Sequence, residues 1–194
     1  MQIIIYNQKG GVGKSMLATQ IALHFDTSII ELDPYGMLAQ TLDDRVIKIG
    51  LKEKIPTLSE GDVVYDFGGF DDIRLDEISQ NADLVIIPFN PTINSLGTTL
   101  ESYERVKQLN VPILFVVNAY LKENDVEDAI GFLSENTQDD IDYFAISHTR
   151  ALQTAENEGV SIIEFAASSG LKKHTYKKIS NTMQNLMKKI EEYL

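Results

Sequence analysis

Residues 7 to 15 read Asn7-Gln8-Lys9-Gly10-Gly11-Val12-Gly13-Lys14-Ser15, which brings three glycines, two lysines and a hydroxyl into one short span. Glycines let a backbone turn tightly and aim successive N–H groups inward, and such a turn is an anion cradle. A helical pattern, Met16-Leu17-Ala18-Thr19-Gln20-Ile21-Ala22-Leu23, follows at once, so the positive end of a helix dipole faces the same anion. In this arrangement Lys14 reaches the β- and γ-phosphates of a nucleotide, and the Ser15 hydroxyl ligates Mg²⁺. The ordinary phosphate-loop pattern has a Gly five residues before the Gly13-Lys14 pair. Here that position is Gln8, and an extra lysine, Lys9, stands at the loop's entrance.

Mg²⁺ and an attacking water need acidic partners on neighbouring strand ends. Asp66 closes the apolar run Val63-Val64-Tyr65, where a Walker B aspartate would hold Mg²⁺ through a water. Asp33 follows Ile29-Ile30-Glu31-Leu32 and precedes Pro34-Tyr35-Gly36. Asn118 closes a third apolar run, Ile113 to Val117, with an amide able to present a donor and an acceptor to a base edge.

These groups need a sheet to gather them. Apolar runs predict strands near 2–6, 28–32, 62–66, 83–88, 112–118 and 141–147, with a short one at 45–49. Amphipathic stretches predict helices over 14–25, 71–81, 93–109, 123–135, 149–158 and 172–193; the rest of 34–61 has no clear pattern. Strand and helix alternate, which implies an α/β fold: a doubly wound, mostly parallel sheet with helices on both faces, in one domain spanning 1–194. Ligands of such sheets bind beyond the carboxyl ends of the strands, where the residues above fall.

The sequence has no Cys, which excludes disulfides, thiolate metal sites and Cys nucleophiles. No uncharged apolar run approaches the ~18 residues of a membrane span, and the first residues lack the basic region of a signal peptide, so a cytoplasmic location is expected. His24, His148 and His174 are scattered and suggest no metal site. The formal charge of −12 is segregated. Residues 171–194 carry six lysines against two glutamates, a local +4, which leaves −16 on residues 1–170. A segregated charge can present a cationic face to an anionic surface.

The order Lys-Gly-Gly-x-Gly-Lys-Ser resembles the deviant Walker A motif of the ParA/MinD family of ATPases, whose signature residue is the additional lysine. The resemblance runs along nearly the whole chain and is nearest to the small plasmid-partition ParA proteins. It implies an ATPase in which Gly10, Gly11, Val12, Gly13, Lys14, Ser15 and Met16 hold ATP with Mg²⁺. Lys9 crosses to the ATP of a second subunit in a nucleotide-dependent homodimer, Asp33 orients the hydrolytic water, and Asn118 reads adenine. Turnover is expected to be slow, because no residue resembles an efficient dedicated base. The chain departs from the family pattern at Met16, where a second Thr is usual, at Tyr35 in place of Gln, at Glu31 in place of Asp, and at Phe70 in place of Arg. No segment precedes the first strand, so a sequence-specific helix-turn-helix is not expected.

Apolar residues Ile179, Met183, Leu186, Met187, Ile190 and Leu194 recur at helical spacing, flanked by lysines. This stripe predicts a last helix docked on the core. Arg150, Lys172, Lys173, Lys177 and Lys178 are the candidates for non-specific contact with DNA phosphates. The resemblance then implies DNA partition, with non-specific DNA and a ParB-like centromere-binding protein as partners and a nucleoid-associated ATP state. Two alternatives stay open: a MinD-like membrane-associated positioning ATPase and a small-molecule enzyme similar to dethiobiotin synthetase.

Overall fold

The computed structural model describes residues 1–55 and 61–194. Among these, the strands are β1 (Gln2–Ile5), β2 (Ser28–Glu31), β3 (Val46–Lys48), β4 (Val63–Asp66), β5 (Leu84–Phe89), β6 (Ile113–Tyr120) and β7 (Tyr143–Ser147). They form one sheet in the order β3-β2-β4-β1-β5-β6-β7, and every pairing is parallel. The expected mostly parallel sheet is therefore parallel throughout. Strands β1, β4 and β5 are buried at every position, because strands covered on both faces have no polar side to alternate with.

The helices are α1 (Lys14–Phe25), α2 (Leu38–Thr41), α3 (Leu75–Ser79), α4 (Ile93–Lys107), α5 (Glu123–Thr137), α6 (Ala151–Glu156), α7 (Ile162–Ala167), α8 (Gly170–Thr175) and α9 (Lys177–Glu191). One face of the sheet, through Ile3, Ile5, Val64 and Ile86, packs on Leu17 and Ile21 of α1 and on Met183, Leu186 and Ile190 of α9. The other face, through Ile4, Val85, Ile87 and Val117, packs on Leu96 and Val106 of α4, Leu133 of α5 and Ile78 of α3. The apolar stripe of α9 is thus consumed by the core. Leu194, the last residue of that stripe, is half exposed.

Three elements differ from the sequence reading. Helix α3 is shorter than 71–81, because Asp72 turns back on its own chain: its Oδ1 accepts from the Arg74 backbone N–H at 3.0 Å, and its carboxylate pairs with the Arg74 guanidinium at 2.6 Å. The expected helix over 172–193 breaks at Tyr176, whose ring packs on Phe165 with centroids 5.2 Å apart. Helix α7 has no counterpart among the expected helices, although Ser161 and Glu164 form a capping box, a pattern legible as Ser-x-x-Glu. Within 34–61 the short strand expected at 45–49 is β3, and the unread remainder holds α2 and a single 3₁₀ turn at Asp43–Arg45; residues 56–60 lie outside the described residues.

The order of strands reverses about β1, which has β4 on one side and β5 on the other. The crevice at such a switch point opens beyond the carboxyl ends of these three strands.

Candidate functional site

Strand β1 feeds directly into the loop that Asn7 fastens. Asn7 is fully buried; its Nδ2 donates to the Pro88 carbonyl and to Thr99 Oγ1, and its Oδ1 accepts from the Lys9 backbone and from Ser102 Oγ. Sequence reasoning missed this peg. Its signal was the polar pair Thr99 and Ser102, one turn apart on the buried face of α4. On the loop's outer side, a Cβ at Gly69 would lie 3.0 Å from the Gly10 nitrogen, so the segment after β4 rests directly on the loop.

The turn itself needs glycine at two places. Gly11 has φ +76° and Gly13 has φ +99°, a region that costs little only without a Cβ. At Gly13 a Cβ would also meet Asn118 Nδ2 at 2.2 Å. Gly13→Ala is therefore expected to lower stability by about 1–3 kcal/mol and to abolish nucleotide binding; a denaturation curve and a binding titration check both.

Lys14 opens α1 and is buried, and its Nζ donates to the Lys9 carbonyl at 2.9 Å. Burial pushes its ammonium below the usual lysine range, against the opposing pull of Asp66 and Asp33. The first turn of α1 holds no acidic residue, so the positive helix end faces the loop uncompensated. Next to it, Ser15 Oγ donates to Asp66 Oδ2 at 2.7 Å. Asp66 is fully buried and its Oδ1 has no partner. Burial pushes this carboxyl up to about 7, with the Ser15 hydrogen bond and Lys14 pulling it down and Glu31 and Asp33 adding to the rise.

Glu31 stands beside Asp66 in the β2/β4 register and is also fully buried. Its Oε1 accepts from the Leu38 backbone at 2.8 Å, and Lys48 Nζ lies 3.6 Å from Oε2. Lys48 in turn donates to the Gly36 carbonyl at 2.5 Å. The place usual for an Asp in the resembled family thus serves as an anchor for the loop that carries Asp33. Asp33 Oδ1 caps its own turn by accepting from the Tyr35 backbone at 2.9 Å. Tyr35 is 90% exposed. Lys9 is half-buried, and among the described residues its ammonium makes no hydrogen bond or ion pair.

Beyond Gly13 lies a cavity of about 260 Å³, lined by Gly11, Gly13, Met16, Asn118 and Glu156 among others. Met16 offers this cavity an apolar wall where a hydroxyl is usual. Asn118 donates one Nδ2 hydrogen to the Val12 carbonyl at 2.9 Å, which leaves the other hydrogen and its Oδ1 for a ligand. A bulge follows, with Ala119 at φ +59°, and bulges of this kind re-aim side chains at sites.

The five cations proposed for DNA are divided. Arg150 and Lys178 share one groove with His148, and Lys173 and Lys177 share another with His174. Lys172 lies 3.7 Å from the Phe165 ring centroid and 3.6 Å from a Glu158 oxygen, so it is engaged within the chain. No cluster of three or more potential metal ligands occurs among the described residues, and no described helix is long and apolar enough to cross a membrane.

No family model matches the chain, and no curated protein matches it in sequence. Solved structures do. An ATP complex of a McdA variant from Cyanothece is 14% identical over 98% of this chain and 96% of its own, with a TM-score of 0.65. The septum site-determining protein MinD from Pyrococcus horikoshii, complexed with Mg-ADP, is 16% identical over 100% and 98%, with a TM-score of 0.66. A ParA family ATPase from Chlorobium tepidum is 16% identical over 95% and 98%, with a TM-score of 0.64. With its parallel sheet and the glycine loop leaving the central strand, the chain has the fold of the ParA, MinD and McdA ATPases.

Proposed function

We propose that this chain is an ATP-driven switch: ATP and Mg²⁺ close two copies face to face, the dimer binds DNA without sequence preference, and slow hydrolysis stimulated by a partner releases it. One observation carries the reading. Lys14, Ser15 and Asp66 converge at an uncompensated helix N-terminus, with a second lysine, Lys9, unengaged at the mouth of the same loop.

The donors fit a hard divalent cation, since the buried Asp66 Oδ1 is bare and Ser15 Oγ is its neighbour. Ser15 would hold Mg²⁺ directly and Asp66 through a water. The ion, when bound, offsets charge on the β- and γ-oxygens. The chain's own groups do the rest: the loop N–H groups and Lys14 hold the phosphates, the partner copy's loop lysine adds a second cation, and Asp33 orients the water. Asp33 already accepts from its own turn, and nothing else in the site is poised as a base. Slow single-turnover hydrolysis is therefore expected; a rate of roughly hundreds per second, well above the median enzyme turnover of about 10 per second, contradicts it.

Support for the dimer comes from the crevice edge. Tyr35, Ile73, Ile93 and Leu121 follow β2, β4, β5 and β6 in the chain and are each more than three quarters exposed. Exposed apolar residues gathered around a site favour a protein partner, and a second copy brings the lysine the phosphates need. The DNA reading rests on Lys173, Lys177 and Lys178, which are exposed. The membrane alternative gains no support, because the α9 stripe is spent on the core.

Cosedimentation with DNA and with anionic liposomes, in ATP, tests the output. DNA is expected to pellet the protein and liposomes are not. Replacing Lys173, Lys177 and Lys178 together with Glu is expected to abolish the DNA pellet while leaving ATP binding intact. With single substitutions, the slope of log affinity on log salt should flatten by about 0.9 for each phosphate no longer neutralised. Unchanged DNA binding in the triple variant overturns the surface, and ATP-dependent liposome binding without DNA binding overturns the switch's target.

A further inference from the structure

The cavity behind Gly13 contains an acidic group that phosphate chemistry does not need. Glu156 ends α6 and lines this cavity together with Met16 and Asn118. Its Oε1 is buried and has no hydrogen-bond partner. Burial alone pushes the carboxyl up to about 7, so no neighbouring donor compensates its charge. A buried acceptor left bare carries its full desolvation cost, and a donor on a ligand in the cavity would remove that cost. Asn118 on the same wall adds an acceptor, since one of its Nδ2 hydrogens goes to Val12 while its Oδ1 has no partner among the described residues.

We propose that Glu156 is a specificity-determining residue that reads the base, its carboxylate accepting a hydrogen bond from the exocyclic amine of a purine while Asn118 Oδ1 accepts the second. This rests on the reading that a triphosphate occupies the glycine loop, which places the base beyond Gly13. The 6-amine of adenine carries two hydrogens and satisfies both acceptors. A purine with a carbonyl at that position turns an acceptor toward two acceptors, and a purine with only hydrogen there leaves both unpaired. Discrimination by a paired amine is stronger than discrimination by shape, because the wrong base leaves buried polar groups unsatisfied.

Competition titrations with ATP, inosine triphosphate and purine riboside triphosphate, on wild type and on Glu156→Ala and Glu156→Gln, test this. Wild type is expected to prefer ATP by at least ~10-fold over both analogues, about 1.4 kcal/mol. Glu156→Ala is expected to lose most of that preference, and Glu156→Gln, which keeps an acceptor, to retain more of it. Preference for ATP undiminished in both variants overturns the inference while the triphosphate reading stands. So does a loss that tracks 2′,3′-dideoxy-ATP rather than the base analogues, which would put the carboxylate on the ribose. Failure of wild type to bind any of the triphosphates overturns both.

Discussion

Replacing Asp66 with Asn is expected to give a protein that no longer hydrolyses ATP at a useful rate and is more stable than wild type above neutral pH. Both effects come from one buried carboxylate. In the folded chain its pKa is raised from 3.8 to about 7, chiefly by burial. Between those values the folded state holds a proton that the unfolded state gives up, so this group's contribution to stability is greatest below about pH 4 and declines as pH rises to about 7. The shift corresponds to about 4 kcal/mol lost across that window. Glu156, also raised to about 7, adds a slope of the same sign that Asp66→Asn leaves in place. Urea denaturation at pH 5 and pH 8 checks the difference: the variant should lose much less stability between them than wild type. Hydrolysis should fall by ~10- to 100-fold, the range for removing an outer-sphere metal partner. A variant that keeps both the wild-type rate and the wild-type pH slope would remove Asp66 from the site.

Lys14→Ala carries the second large effect. The ammonium is buried at the start of α1 and is held by the loop's own Lys9 carbonyl, so its direction is set before any phosphate arrives. Removing one such preorganised donor costs about 10²–10³ in the chemical step. Nucleotide affinity should fall as well, since the proposed switch has Lys14 meet the β- and γ-phosphates in the ground state. Single-turnover hydrolysis at saturating ATP separates the two losses. Lys14→Arg should not rescue the rate, because a planar fork does not replace a compact point charge. Wild-type turnover in Lys14→Ala would refute the phosphate role of the loop.

The sheet and the main site were legible because each depends on short-range pattern. Helix α1 runs over 14–25 as expected, since Gly13 fixes its start and the αL turn at Asp26 fixes its end. Asp66 and Ser15 meet because a strand end and a helix start face one crevice, which chain order alone implies. What stayed hidden depends on contacts distant in sequence. Asn7 alone gave no sign of its bonds to Thr99 and Ser102, whose only trace was their own spacing on α4, and nothing in the run Ile113 to Asn118 revealed that an Asn118 N–H would bond to Val12. Lys172 read as a free cation until the Phe165 ring and Glu158 were placed beside it. Helix α7 was overlooked for another reason: at six residues it is too short for periodicity, and only its cap marked it.

Light scattering on a size-exclusion column tests the central claim most directly. Without nucleotide the chain should elute at its monomer mass of 21.7 kDa, and with Mg²⁺ and a non-hydrolysable ATP analogue at twice that. Lys9→Ala should bind the analogue and stay monomeric. A wild-type chain that remains at monomer mass under saturating analogue, or a Lys9→Ala chain that pairs as readily as wild type, would contradict the account.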